Sequence, residues 1–304
     1  MIPRIPTESE LKKVMTEFKS LGRPKKGGFK IFYPANLHDG TEEALKLAIV
    51  PVFEDIDTRV REELRDEIRN RIEREIKLLG SMNSPFIVKL GSLSPRRIEI
   101  GEMEFVAYSE EYLQGTDISD LIGSGYHVEE KELRLLASCL IDAISNMWYR
   151  FNTVHRDIKP LNIIKTSLPE RPFVLLDLGL AFSIYESALT VDPKQRFPPG
   201  TTRYIAPEML KPNFRDTLDY RADLYALGVT LFEFASCIHP LAKDRDDLFQ
   251  TLSRILHNAS TPLEELRPDL SKEFSTTVNQ LLKKLPALRP SNLKTLNRLI
   301  GLGT

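Results

Sequence analysis

Val154-His155-Arg156-Asp157-Ile158-Lys159-Pro160-Leu161-Asn162 sets three chemically capable side chains, Asp157, Lys159 and Asn162, among apolar neighbours. The helical pattern LRLLASCLIDAISNMWYRF precedes the stretch and a strand-like run follows it, so it reads as a loop presented by ordered elements. Twenty residues after Asp157, Asp177 ends the apolar run Phe173-Val174-Leu175-Leu176 and opens Asp177-Leu178-Gly179. Such a grouping offers one acid for a substrate hydroxyl, and a second acid with an amide for a divalent cation. The plainer reading is a capping and ion-pair cluster with aspartates as turn formers. Taken alone, DLG favours that reading; its order and distance relative to the first stretch outweigh it.

The two stretches together resemble the eukaryotic-type (Hanks-type) protein kinase family, because HRDIKPLN is similar to its catalytic loop and DLG stands where the family has DFG. The resemblance implies a serine/threonine protein kinase that moves the γ-phosphoryl of ATP onto Ser or Thr hydroxyls of protein substrates, autophosphorylation included. By the same resemblance ATP and Mg²⁺ are the cofactors, Asp157 accepts the hydroxyl proton, Asn162 and Asp177 hold Mg²⁺, and Lys159 neutralises the transferring phosphoryl. His155 is expected to pack against Leu178 rather than act as a base. Gly200-Thr201-Thr202-Arg203-Tyr204-Ile205-Ala206-Pro207-Glu208 looks like the family's GTxxYxAPE segment, and Asp223 to Gly228 resembles its DxWSxG helix start. Glu208 is then expected to pair with Arg289, and Asp223 to anchor the catalytic-loop backbone. Lys159 followed by Pro160 resembles the serine/threonine enzymes. Arg156 beside Asp157 implies a phosphate on residues 183–200, with Thr190 the expected acceptor and Thr202 the second choice; Thr201 is expected to bond to Asp157 and Lys159.

Upstream, Thr7 to Glu10 fits a capping box opening a helix over residues 8–18. KKGGFKIFYPANLHDGTEEALKLAIVPV reads as two strands joined through His38-Asp39-Gly40. A charged helix follows over residues 58–79, ended by Gly80, with Ile68, Ile72, Ile76 and Leu79 as its apolar stripe. Glu75 falls on the edge of that stripe, and a charge so placed needs a partner. Lys46, in the context Ala44-Leu45-Lys46, looks like the family's strand lysine and is the expected partner, holding the α- and β-phosphates; Lys30 is the alternative. Gly27 and Gly28, in a stretch without a clean GxGxxG, either cover phosphates with their N–H groups or form a flexible basic turn. Glu111-Tyr112-Leu113 resembles the family's hinge, where Glu111 and Leu113 would read adenine and Asp117 would meet the ribose. That alignment puts Glu110 at the gatekeeper position, an unusual place for an acid, which calls for a partner cation or a shift of register.

The bulk properties are permissive. At 304 residues, two units are expected, and 42 basic against 43 acidic residues leave a net charge of −1, with no bulk attraction to nucleic acid or membrane. No run approaches a membrane span and no signal peptide is visible, so a cytoplasmic location is expected. Cys139 and Cys237 lie in apolar helical segments and read as buried reduced thiols. The expected class is α+β: a two-lobed, protein-kinase-like fold with a small antiparallel β lobe carrying one long helix, and a larger, mainly helical lobe. The expected division is 1–20 as a helical extension, 21–108 as the nucleotide-binding lobe, 109–117 as hinge and 118–304 as the catalytic and substrate-binding lobe. A pseudokinase scaffold, suggested by the irregular glycine stretch, and a small-molecule kinase are the competing classes. Nothing in the sequence speaks to oligomeric state.

Overall fold

The computed structural model describes residues 4–27, 30–51, 57–178, 182–183, 201–211 and 214–301. The chain divides into two compact units, one made from residues 1–82 and 88–113, the other from 83–87 and 114–304. The first is built on an antiparallel sheet with one long helix and the second is mainly helical, the α+β class read from the sequence.

The first unit contains α1 (Glu8–Val14), β1 (Phe18–Leu21), β2 (Lys25–Gly27), β3 (Lys30–Leu37), β4 (Glu42–Val50), α2 (Thr58–Ser81), β5 (Arg96–Ile100) and β6 (Met103–Glu111). The sheet order is β1-β3-β4-β6-β5, with β2 also pairing β3. Period-two alternation sorts the side chains onto two faces. Leu45, Leu47 and Ile49 of β4 join Ile31, Tyr33, Phe105 and Ala107 on one face, under Leu11 and Met15. Ala48 and Val50 join Val106 and Tyr108 on the other, under Ile72 and Ile76 of α2. The 1–20 segment therefore contributes to this core. Its capping box is present, with the Thr7 side chain accepting from Glu10 N–H, but the helix stops at Val14 because Met15 turns extended and Phe18 enters the sheet fully buried.

The β3–β4 hairpin turns where expected, with Gly40 at φ 87° and Thr41 N–H donating to Asp39 Oδ1 at 2.9 Å. Asp57 caps α2, accepting from Arg59 and Val60 N–H. Gly80 does not end the helix, which continues to Ser81. A Cβ at Gly80 would lie 2.9 Å from Leu90 Cδ1, so this glycine serves close packing rather than termination. Glu104, at the start of β6, is buried and holds α2 through Arg65 Nη2 at 2.5 Å and through Arg69 Nε and Nη2, each at 2.6 Å.

In the second unit, β7 (Gly115–Asp117), β9 (Ile163–Thr166) and β10 (Phe173–Leu175) form a sheet in the order β10-β9-β7, and β8 (Thr153–Val154) pairs with β11 (Phe182–Ser183). Around them stand α3 (Ile118–Gly123), α4 (Glu130–Phe151), α5 (Arg221–Ser236), α6 (Leu248–His257), α7 (Leu263–Leu266), α8 (Lys272–Leu281) and α9 (Leu293–Ile300). Helix α4 ends at Asn152 in the left-handed region, φ 49°, its N–H bonding back to the Met147 and Trp148 carbonyls. That cap turns the chain into β8 and so delivers residues 155–162. Cys139 is buried, but Cys237 is exposed. The latter corrects the expectation: Cys237 is the left-handed cap of α5, one position past the last helical residue, and leaves the buried face there.

Candidate active site

Residues 155–162 are gathered by one buried carboxylate. Asp223, in the first turn of α5, accepts His155 N–H at 2.8 Å and Arg156 N–H at 2.9 Å, the anchoring expected of it. Burial pushes its carboxyl up to about 7 against the pull of those two bonds. Arg156 then sits at φ 66° and Asp177 at φ 58°, both left-handed and neither glycine. Such conformations cost on the order of 1 kcal/mol or more apiece and persist where the surroundings over-determine them. His155 is fully buried; its Nδ1 accepts Asp157 N–H at 3.2 Å, so Nε2 carries the proton and donates to the Leu176 carbonyl at 3.3 Å. Leu176 N–H in turn donates to the Asn162 carbonyl at 2.7 Å, tying the loop to the residue before Asp177.

Within this frame Asp157, Lys159 and Asn162 meet. Lys159 Nζ lies 2.8 Å from Asp157 Oδ1 and 2.9 Å from Oδ2, while Asn162 Nδ2 donates to the Asp157 carbonyl and to Oδ2, each at 2.9 Å. Burial pushes the Asp157 carboxyl above the usual aspartate range; Lys159 and Asn162 oppose the rise, and the charge of Asp177 adds to it. The grouping offers a poised proton acceptor beside a cation. Because the Asn162 amide nitrogen is committed to Asp157, its oxygen remains the acceptor of that side chain; an amide oxygen, like the Asp177 carboxylate, is a hard donor of the kind that could hold Mg²⁺. Among the described residues no three His, Cys, Asp or Glu side chains cluster as a metal-binding set.

Arg289 Nη1 and Nη2 clamp the Glu208 carboxylate at 2.6 and 2.8 Å, the pair expected from the sequence. Asp117, at the position expected for a ribose ligand, caps α3 and accepts Asp120 N–H at 2.8 Å. Glu111 N–H donates to the Lys89 carbonyl at 3.0 Å, and Leu113 is half-buried just after β6. Gly27 is the last residue of β2, and a Cβ there would touch nothing within 4 Å, so packing does not demand glycine. Gly28, residues 184–200 with Thr190, and the side chain of Thr201 lie outside the described residues; Thr202 is buried.

One expected pairing is corrected. Lys46 does not meet Glu75: its Nζ lies 3.2 Å from Glu110 Oε2 and 5.7 Å from the centre of the Phe32 ring. Glu75 has Arg71 Nε at 3.3 Å and Lys30 Nζ at 4.0 Å. Strand register is the reason. Lys30 stands opposite Ala48 and Phe32 opposite Lys46, so Lys30 is one pleat nearer the patch on which Ile72 and Ile76 pack, and Glu75 is carried by that part of the helix. Lys46 is also the partner cation that the acid at position 110 called for. Sequence reading named Lys46 and Glu110 separately; their shared face, two residues apart across the β4–β6 ladder, was the signal that would have joined them.

A family model described as protein kinase domain matches residues 55–299. The serine/threonine-protein kinase pkn3 of Myxococcus xanthus is 29% identical over 235 residues, 73% of this chain and 40% of that protein. The relative named "Probable serine/threonine-protein kinase PknB", from Bifidobacterium longum, is 29% identical over 220 residues, covering 70% and 30%. The tyrosine-protein kinase MasK of Myxococcus xanthus is 30% identical over 230 residues, covering 72% and 32%. The matched region thus spans two fifths or less of each of these relatives. Among the described residues no helix is long and apolar enough to cross a membrane.

Proposed function

The chain belongs to the protein kinase family, and from that premise we propose that it is an active serine/threonine kinase, which transfers the γ-phosphoryl of ATP to Ser or Thr hydroxyls of protein substrates and of itself. The observation that carries this reading is the Asp157–Lys159–Asn162 cluster, whose loop is held by Asp223 and contains the left-handed Arg156, with Asp177 left-handed as well. Asp157 takes the proton of the attacking hydroxyl. Lys159 offsets the negative charge gathering on the transferred group, and Asn162 and Asp177 are the residues that would hold Mg²⁺. That ion, when bound, neutralises phosphate oxygens. Positioning and electrostatics, rather than covalent participation, supply most of such catalysis.

Serine and threonine specificity rests on Lys159-Pro160 and on relatives named as serine/threonine kinases, with a tyrosine kinase among the similar proteins. The competing reading, a pseudokinase scaffold, is favoured by one observation: the expected strand lysine, Lys46, is engaged by Glu110. Incubating the chain with radiolabelled ATP and generic protein substrates, followed by phosphoamino-acid analysis, tests both. Label on serine or threonine is expected. Label only on tyrosine overturns the specificity, and no label on substrate or chain favours the scaffold.

A further inference from the structure

We infer that the turn Leu285-Pro286-Ala287-Leu288 in the second unit, with Lys283 and Lys284 before it, docks an acidic, apolar segment of a partner protein. The inference stands apart from phosphate transfer. Four apolar residues in a row lie between α8 and Arg289: Leu285 is 58% and Leu288 55% exposed, Ala287 is exposed and Pro286 is half-buried. Single leucines scattered on a surface need no explanation, but a contiguous exposed apolar run rimmed by charge marks a contact surface. The turn is also held firmly. Leu288 N–H donates to the Leu285 carbonyl and Arg289 N–H to the Pro286 carbonyl, each at 3.0 Å. Beneath it, the buried Arg289 side chain donates from Nε to the Lys283 carbonyl at 2.8 Å and from Nη2 to the Lys284 carbonyl at 3.2 Å, while Glu208 clamps the same guanidinium. A surface fixed in this way loses little freedom when a partner settles on it.

The charge beside the run selects the partner. Lys283 is exposed and forms no ion pair among the described residues. Lys284 Nζ is buried with no hydrogen-bond partner among the described residues, and burial, with the charge of Arg289, lowers its pKa to about 8. It is therefore still mostly charged at neutral pH and lacks a counter-charge of its own. A carboxylate arriving from outside supplies one, and the flexible four-carbon stem lets the ammonium turn out to meet it. Two other occupants fit less well. A second copy docked turn to turn would set Lys283 against Lys283, like charge against like. Recognition of anionic lipid takes clusters of about four to eight basic residues, and this turn carries two.

Random dodecapeptides displayed on phage, depleted on the double variant Leu285→Ser/Leu288→Ser and then selected on the wild-type chain, test this. The selected peptides should carry leucine, isoleucine or phenylalanine beside aspartate or glutamate. One of them, made synthetically and followed by fluorescence anisotropy, should bind the wild type at least about tenfold more tightly than it binds the double variant or Lys283→Glu. Its affinity should fall as salt rises. All three substituted side chains are exposed, so thermal unfolding of the variants should match the wild type, which separates lost docking from lost folding. No enrichment, enrichment of basic or uncharged peptides, or equal binding to wild type and variants overturns the inference. Sedimentation that shows the wild type self-associating and the double variant monomeric overturns it in favour of a second copy. Binding to phosphatidylserine vesicles that the double variant loses overturns it in favour of a lipid surface.

Discussion

Asp157 concentrates the chemistry in one carboxylate, and its environment predicts how it titrates. Burial holds its proton more tightly than in an ordinary aspartate, and a base works only when ionised. Activity should accordingly fall as pH drops through a value above the ordinary 3.9, and a pH profile of kcat/KM should place its acidic limb there. Asp157→Asn keeps the shape and removes the proton acceptor, so transfer should drop by about 10²- to 10⁴-fold. Thermal unfolding and ATP binding should stay close to wild type, because the change relieves a buried charge while Lys159 stays partly exposed. Equal turnover in the variant would remove Asp157 from the role of base.

At the scale of elements, two close approaches carry the packing. Gly228 in α5 faces α8, and a Cβ there would come within 2.6 Å of Leu281 Cβ and 3.4 Å of its backbone carbonyl carbon. Alanine is the better helix former by up to about 1 kcal/mol. Here the collision is with a Cβ, which side-chain rotation cannot move aside, and overpacking costs about 1–3 kcal/mol. Gly228→Ala should lower the denaturant midpoint; a rise would show that α5 and α8 separate freely. In the first unit, Glu104 draws Arg65 and Arg69 of α2 onto β6, and those partners hold its carboxyl below the usual range. The pair stabilises above the unfolded carboxyl value near 4.3 and is lost as pH falls through the lowered folded value. Glu104→Gln should cost about 3 kcal/mol at pH 7, and the penalty should shrink in acid.

For the whole molecule, near-balance of 42 basic and 43 acidic residues means that stability against pH is set by single buried groups rather than by net charge. His239 and Asp223 pull in opposite senses. His239 is buried and neutral: Nε2 donates to the Arg203 carbonyl, Nδ1 accepts Leu241 and Ala242 N–H, and burial lowers its pKa to about 4. The unfolded chain binds the proton first, so this contribution is complete above about 6.5 and is lost as pH falls toward 4. Asp223, raised to about 7, works the other way, and its contribution is lost as pH rises through that value. Comparing wild type with His239→Gln isolates the histidine: the stability gap should widen by about 2 kcal/mol from pH 5 to pH 7 in urea unfolding. A gap independent of pH would mean that His239 titrates normally.

The sequence alone determined the α+β class and the residues of the catalytic-type loop, each legible in a local pattern, whereas the Asp223 anchor and the Glu208–Arg289 clamp, which join residues 67 to 81 positions apart, were expected only through the resemblance to the protein kinase family. Asp157, Lys159 and Asn162 sit within one loop, so their meeting was legible from spacing. Only the tertiary structure decided which lysine faces Glu75. Lys30 and Lys46 lie on adjacent strands and share a face, and the choice turns on the β3–β4 register that sets Lys30 over Ala48 and Lys46 beside Glu110. It also decided that Gly80 is a contact with Leu90 rather than a helix end, and that Cys237 is exposed at a cap. Those outcomes depend on what another segment brings alongside, and period and propensity along one chain do not encode distances between segments.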